Sequence, residues 1–252
     1  MPKVYNCWLF TFIVLFAFKV PRPIVLKLGK AACTIHVHKK GGNLATLIAL
    51  HESENTCIRA FNALPNSSPF VLYSISQKGK RLLEFKEKNK IYYFDPNRIF
   101  SRTGIIKTLK KYNTSYPKNI INKIAKFSNK ILKTTAIKNS SKHIIAIHNN
   151  TNGKFSAKTF NYYSRASKMY ISKSKDPDDF FIVTQLSDFI FFKRQNQNVV
   201  LQSKSAADDG SLSIYCQKNR IPYINAEAQF GHKKQQILML LLCEKLLSAT
   251  GK

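Results

Sequence analysis

The chain has 252 residues, 44% of them hydrophobic, which is enough to bury one substantial core, and an α/β protein of this length is usually a single domain. Its 41 Lys and Arg against 13 Asp and Glu give a formal charge of +28, so the surface attracts polyanions. No zinc-finger, helix-turn-helix or RNA-binding signature accompanies that charge, which argues against specific nucleic-acid recognition, and the absence of any CxxC pair among five cysteines argues against a thiol zinc site or a dense disulfide framework.

The bias towards Lys, Asn and Ile is also what an AT-rich genome would impose whatever the function. In chain order, residues 7 to 18, "CWLFTFIVLFAF", form an apolar stretch too short for a bilayer-spanning helix of about 20 residues. Residues 1–20 read as a signal peptide or N-terminal anchor, with a buried first strand as the alternative. A signal peptide implies a periplasmic or secreted protein and would permit one disulfide, whose partners the spacing does not identify; without one, the protein is membrane-anchored or cytoplasmic.

"CTIHVHKK" and "NLATLIAL" read as two strands joined across Gly41 and Gly42, a hairpin-like link, and the second strand delivers His51. From Glu54, apolar residues Cys57, Ile58, Phe61 and Leu64 recur at helical spacing, and Pro65 marks the stop. "PFVLYSI" and "KIYYF" look like strands around a basic turn, followed by the loop "DPNRIFSRTGI" punctuated by Pro96 and Gly104. Between Lys118 and Lys133, Ile120, Ile121, Ile124, Phe127 and Ile131 form the stripe of an amphipathic surface helix.

"HIIAIH", residues 143 to 148, is the short apolar run of a strand buried on both faces. "FFIVT", "NVVLQ" and "PYINAEAQ" are strand-like, separated by helical candidates at 186–194 and 210–219, and the chain closes with a leucine-rich helix over 233–248. This alternation predicts an α/β fold: a three-layer sandwich with a mostly parallel mixed sheet flanked by helices, the domain running over 31–250.

The residues suited to chemistry lie at predicted strand ends. His51 and Glu54, three apart at a helix start, can both point at one metal ion. Six His and 13 acids in this length give roughly 0.3 such HxxE pairs by chance, so location carries more weight than spacing. Both stand where open α/β sheets gather ligands, past the end of a buried strand. His148, also at a strand end and followed by "NNTNG", is the third ligand candidate. Glu227 in "YINAEAQFGH" is a carboxylate within a core strand; a nearby cation or a proton-transfer role would account for it, and a solvent-facing strand-edge Glu is the bland alternative. Asn97 and Arg98 come from the intervening loop, and the planar guanidinium suits two-point binding of a carboxylate.

This order, HxxE, then Asn-Arg, then a lone His at a strand end, then a Glu in a late strand, resembles the zinc carboxypeptidase family and its succinylglutamate desuccinylase and aspartoacylase relatives, from His51 to Glu227. "IIAIHNN" is also similar to the third-ligand stretch of N-acetylmuramoyl-L-alanine amidases. The resemblance implies zinc held by His51, Glu54 and His148, a substrate carboxylate gripped by Arg98 with Asn97, and Glu227 as general base. It implies a zinc-dependent hydrolase of an amide or peptide bond near a carboxylate, acting on a peptide, a cell-wall stem peptide or an acylated amino acid. By position only, Tyr162, Tyr163 and Tyr170 are candidates for a pocket tyrosine. "DPDDFF", "SAADDGSLSIY" and "QFGH" belong to no motif with a mechanism; Asp208 and Asp209 before Gly210 most simply cap a helix, and His232 is either a partner of the site or a helix-start residue. The rival from another class is a cationic polyanion-binding protein without catalysis.

Overall fold

The computed structural model describes residues 22–160 and 165–250, so the expected leader, Cys7, Tyr162 and Tyr163 lie outside the described residues. Its strands are β1 (Ile24–Leu28), β2 (Ala31–Lys39), β3 (Ala45–Ala49), β4 (Phe70–Ser76), β5 (Leu83–Glu87), β6 (Lys90–Phe94), β7 (Ile144–Asn150), β8 (Ala166–Tyr170), β9 (Phe180–Val183), β10 (Val199–Gln202) and β11 (Tyr223–Gln229). The helices are α1 (Asn55–Asn62), α2 (Arg102–Tyr112), α3 (Lys118–Thr134), α4 (Ala157–Phe160), α5 (Leu186–Arg194), α6 (Leu212–Lys218) and α7 (Lys233–Thr250). None of the described helices is long and apolar enough to cross a membrane.

Nine strands form one mixed sheet in the order β1-β2-β4-β3-β7-β11-β9-β10-β8, while β5 and β6 make a separate ribbon. The centre, β4-β3-β7-β11, is parallel and the margins are largely antiparallel. Burial on both faces follows from the alternation of side chains along a strand. In β7, Ile144 and Ala146 join the core under α2, α3 and α6, whereas Ile145 and Ile147 join the core under α1, α5 and α7. The result is the expected α/β sandwich of three layers.

Two expectations about strand pairing fail. β2 and β3 are not a hairpin, because β4 lies between them, antiparallel to β2 and parallel to β3. β3 is buried along its whole length and takes parallel neighbours on both sides, so the half-buried β2 is left to pair elsewhere. Gly41 and Gly42 serve close approach instead of a tight turn: a Cβ on Gly41 would stand 2.7 Å from the Ser67 Cα, and one on Gly42 3.1 Å from the Pro69 Cα. Likewise β6 pairs with β5, not with β4. The charges of "RLLEFKEK" mask β5, whose buried Leu83 and Phe85 pack with Tyr92 and Phe94.

The stretch expected as a loop at 95–105 is mostly helical. Pro96–Arg98 form one 3-10 turn, and Ser101 caps α2 by accepting from the Gly104 N–H at 3.0 Å. Gly104 is a contact residue: a Cβ there would fall 2.2 Å from the Gly210 Cα, and Gly210 itself holds φ +76°. This crossing ties the Asn97–Arg98 segment to the loop before α6. Because the obstructing atoms are backbone, Gly104→Ala is expected to cost about 3 kcal/mol, at the upper end of overpacking penalties, read as a lowered urea midpoint at unchanged slope.

Candidate metal centre and its cavity

Register brings the site together. Glu227 of β11 pairs directly with His148 of β7, and both lie on the sheet face that carries Tyr223, Ile144 and Ala146. His51 follows β3, the neighbour of β7 on its other side, and the Glu54 N–H closes a turn onto the His51 carbonyl at 3.1 Å. Three parallel strands therefore deliver their chemistry to one rim.

Glu54 stands where α1 should be capped, yet its carboxylate makes no capping bond. Asn149 does that work from β7, its Oδ1 accepting from the Cys57 N–H at 3.1 Å. The freed carboxylate turns into the cavity. One oxygen lies 2.9 Å from His51 Nδ1 and pairs with the Arg81 guanidinium; the other lies 2.8 Å from His148 Nδ1 and accepts from the Asn149 N–H at 3.1 Å. The two Nδ1 atoms are 3.3 Å apart. All three side chains are buried and offer donor atoms within 4.8 Å of one another.

Asp95 completes the frame. Its Oδ1 is 2.8 Å from His51 Nε2 and also accepts from the Asn97 N–H at 2.8 Å, while its own N–H donates to Thr108 Oγ1 at 2.9 Å. This carboxylate holds the Nε2 proton of His51 and leaves Nδ1 to face Glu54 and His148. Burial works against charge on His51, but the Glu54 and Asp95 carboxylates outweigh it and pull the imidazole up to about 9. Glu54 and Asp95 are held well below the usual carboxylate range against burial, Glu54 by the two histidines and Asp95 by His51 and Arg81.

Glu227 is 6% exposed and inside the sheet, not at a solvent-facing edge. Asn225 Nδ2 donates to its Oε1 at 3.0 Å, and burial, with the Glu54 charge adding, pushes its carboxyl above the usual range despite His148. Asn97 is pinned by the Leu212 N–H, which donates to its Oδ1 at 2.9 Å, and its Nδ2 lies 3.5 Å from His148 Nε2. Arg98 Nη1 donates to the Asn97 carbonyl at 2.7 Å, and Nη2 is 3.8 Å from Asp209 Oδ2. One cavity of about 360 Å³ is lined by His51, Glu54, His148, Asn97, Arg98 and Glu227 together.

Other expectations change. Tyr170 does not line this cavity; its hydroxyl donates to Asn196 Oδ1 at 2.8 Å, and among the described residues the tyrosine that lines the cavity is the buried Tyr223. The cap of α6 is Ser211, whose Oγ accepts from the Ile214 N–H at 3.5 Å; Asp208 instead takes the Ser101 hydroxyl and Lys218, and Asp209 takes the Ser211 N–H. His232 precedes α7 and lies 3.1 Å from Asp179 Oδ2, outside the cavity lining. The four described cysteines, Cys33, Cys57, Cys216 and Cys243, are buried and unpaired, so no disulfide forms among them.

Sequence reasoning missed Arg81, Asp95, Asp209 and Arg165, which all belong to the site or its rim. Asp95 had a usable signal, an acid placed directly before Pro-Asn-Arg, whereas Arg81 sits in a basic turn where nothing distinguishes it from its neighbours.

No protein-family profile matches the chain, and no curated protein matches it either. Solved structures do. One from Shewanella denitrificans, named for a metallopeptidase, shares 9% identity at a TM-score of 0.42, covering 91% of this chain and 83% of that one. The cell shape determinant protein Csd4 of Helicobacter pylori, as a Gln46His variant, shares 11% identity at a TM-score of 0.46 over 86% of this chain, which spans only 54% of that protein. N-formylglutamate amidohydrolase of Ralstonia eutropha shares 11% identity at a TM-score of 0.44, covering 86% of this chain and 98% of that one. Further matches carry carboxypeptidase and succinylglutamate desuccinylase/aspartoacylase names, the groups whose motif order the sequence resembles. These likenesses are of outline only, and the functional reading rests on the geometry of the site.

Proposed function

We propose that the protein is a zinc-dependent hydrolase of an amide or peptide bond near a substrate carboxylate. The observation that carries this reading is the convergence of His51 Nδ1, His148 Nδ1 and the Glu54 carboxylate, buried and mutually within 4.8 Å, with a second buried carboxylate, Glu227, beside them in one cavity. Two imidazole nitrogens facing each other at 3.3 Å repel unless a proton or a cation lies between them. Two nitrogens and one carboxylate that leave a coordination position open are a donor set that suits catalytic zinc, and Asp95 behind His51 is the outer partner such ligands usually have.

Bound there, zinc would supply a Lewis acid and a water acidified to near neutrality. The chain's own residues do the rest. Glu227 accepts a proton from the attacking water and returns it to the leaving amine, work for which its raised proton affinity suits it better than an ordinary Glu. Arg98, steadied by the Asn97 carbonyl, binds the substrate carboxylate, and Asn97 is itself fixed by Leu212, so the grip is preorganised. Arg81 and Asp95 hold the ligands in register and are positioning residues.

We place peptide C-termini, cell-wall stem peptides and acylated amino acids within this substrate class, and export through the apolar leader is part of the same proposal. A chelator-controlled assay on model C-terminal peptides, peptidoglycan fragments and N-acyl amino acids tests it: turnover of at least one set should vanish with chelator and return with zinc. Affinity for arbitrary DNA that collapses with salt, unaffected by chelator and without turnover of any set, would favour the cationic binding protein instead.

A pH dependence follows from His51. Metal-free, its imidazole titrates at about 9 and is protonated at neutrality, so zinc must displace that proton. Zinc uptake at pH 7 to 8 is expected to release about one proton, and apparent affinity should rise about tenfold per pH unit until near pH 9. Calorimetry in buffers of different ionisation enthalpy reads this directly. In the metal-free protein the same shift stabilises the fold fully below the ordinary value of 6.5 and is lost as pH rises through about 9.

A further inference from the structure

Every large apolar residue exposed on a described helix belongs to α5 or α7: Leu186 at 49% and Ile190 at 40% on the first, Leu238 at 54% and Leu241 at 37% on the second. On the other side of the sheet, α2 and α3 are richer in lysine and expose none. The exposed leucines are therefore not a by-product of a basic composition. Along α7, Lys234, Leu238, Leu241 and Lys245 recur at spacings of four, three and four, which puts two leucines on one outward stripe with a lysine at each end. Along α5, Leu186 and Ile190 are followed one turn later by Lys193 and Arg194. The two helices pack together on one sheet face, and Lys245 Nζ donates to Gln195 Oε1 at the end of α5 at 3.2 Å.

Two grooves open on this layer. One of about 530 Å³ runs beside Leu186 and Ile190 with Lys168, Lys193 and Arg194 in its wall; the other, about 340 Å³, runs beside Leu238 and Leu241 with Lys175 and Lys245. No acid among the described residues lines either groove. Of the acids these helices carry, Asp188 is 1% exposed and lies 3.1 Å from His143, and Glu244 is half-buried with Oε2 enclosed. Apolar side chains at the surface, bordered by long cationic ones whose stems can lie along them, suit the boundary between hydrocarbon and charged headgroups. A second copy of the chain would set these cations against each other, and a formal charge of +28 against itself. A nucleic acid would use the cations and leave the leucines in water. We propose that the outer face of α5 and α7 docks on an anionic membrane surface, with Leu186, Ile190, Leu238 and Leu241 entering the headgroup–acyl boundary and the flanking cations facing the lipid charges. No residue of α5 or α7 lines the metal cavity, so docking leaves it uncovered, and the assignment stands apart from the hydrolase reading.

The test is sedimentation of the full chain with vesicles of phosphatidylcholine alone or mixed with phosphatidylglycerol. The mixed vesicles should bind at least about tenfold more tightly, because each cation near an anionic surface contributes separately. Leu238→Ser/Leu241→Ser should lower affinity for the mixed vesicles at least about tenfold. Lys193→Gln/Arg194→Gln should also lower it about tenfold. Lys126→Gln/Lys130→Gln removes the same charge from exposed positions of α3, on the opposite layer and beyond a Debye length of about 8 Å, and should change it less than about threefold. All the replaced side chains are exposed, so urea midpoints should match the wild type. Affinity for duplex DNA, which needs charge alone, should be equal in the leucine variant and the wild type. Equal binding to both vesicle types, a loss in the α5 and α7 variants no greater than in the α3 variant, or DNA binding without vesicle binding overturns the proposal. So does self-association of the wild type that the leucine variant abolishes, which would give this face to a second copy.

Discussion

A Glu54→Ala protein should lose nearly all bound zinc and at least about 10³-fold in hydrolytic rate, because on the proposed reading it removes one of three zinc ligands. The expectation is sharper than for an ordinary buried acid because of what Glu54 touches: both histidine Nδ1 atoms, the Asn149 N–H and Arg81. Without it the two Nδ1 atoms stand 3.3 Å apart with no carboxylate bridging them, since Asp95 reaches only His51 Nε2. Removing one partner of a fully buried ion pair costs about 3–5 kcal/mol. The Arg81 side chain is 50% exposed, so solvent reduces that penalty and a loss of about 2 kcal/mol is expected here. Zinc analysis, steady-state rates and a urea titration of one preparation check all three. A variant that keeps stoichiometric zinc would show that Glu54 is no ligand.

Glu227→Gln is expected to leave zinc content unchanged and lower kcat by about 10²- to 10⁴-fold, the span of a single general acid–base contribution. In the wild type, the acid limb of the kcat/KM profile should lie above the ordinary Glu value of 4.5, because burial disfavours the ionised form that accepts the proton, and the rate rises as pH climbs through that point. Stability should move the other way. A carboxyl whose folded value is raised stabilises the fold at low pH and loses that contribution as pH rises through the shifted value, so the neutral Gln should be as stable as Glu or more stable near neutrality. Lost turnover together with an undiminished urea midpoint is the signature of a proton-transfer group. A structural role for Glu227 would instead lower stability and leave kcat nearly intact.

Much of this architecture was legible from local pattern. The runs of β3, β7, β9, β10 and β11 and the stripe of α3 are each long enough and apolar enough to declare themselves. His51, Glu54, His148 and Glu227 were legible because a polar residue at the end of an apolar strand is costly unless something receives it. Pairing was not legible. The separation of β2 from β3 by β4 depends on which strand is buried on both faces, and Gly41 and Gly42, which suggest a turn, are small because Ser67 and Pro69 pass close by. Gly104 misled in the same way, since its neighbour Gly210 lies 106 residues on in the chain and only the fold brings them together. Arg81 and Arg165 were hidden by composition: in a chain with 41 cations, these two look like the rest until Glu54 and Asp209 are in place beside them.

The most direct measurement is an anomalous difference map, collected at the zinc edge, from a crystal of the zinc-loaded protein. A single strong peak is predicted at about 2.0–2.3 Å from His51 Nδ1, His148 Nδ1 and a Glu54 oxygen, with Glu227 facing its open side. A peak confined to another group, such as Asp176, Asp179 and His232, or no peak at all at stoichiometric zinc, would contradict it.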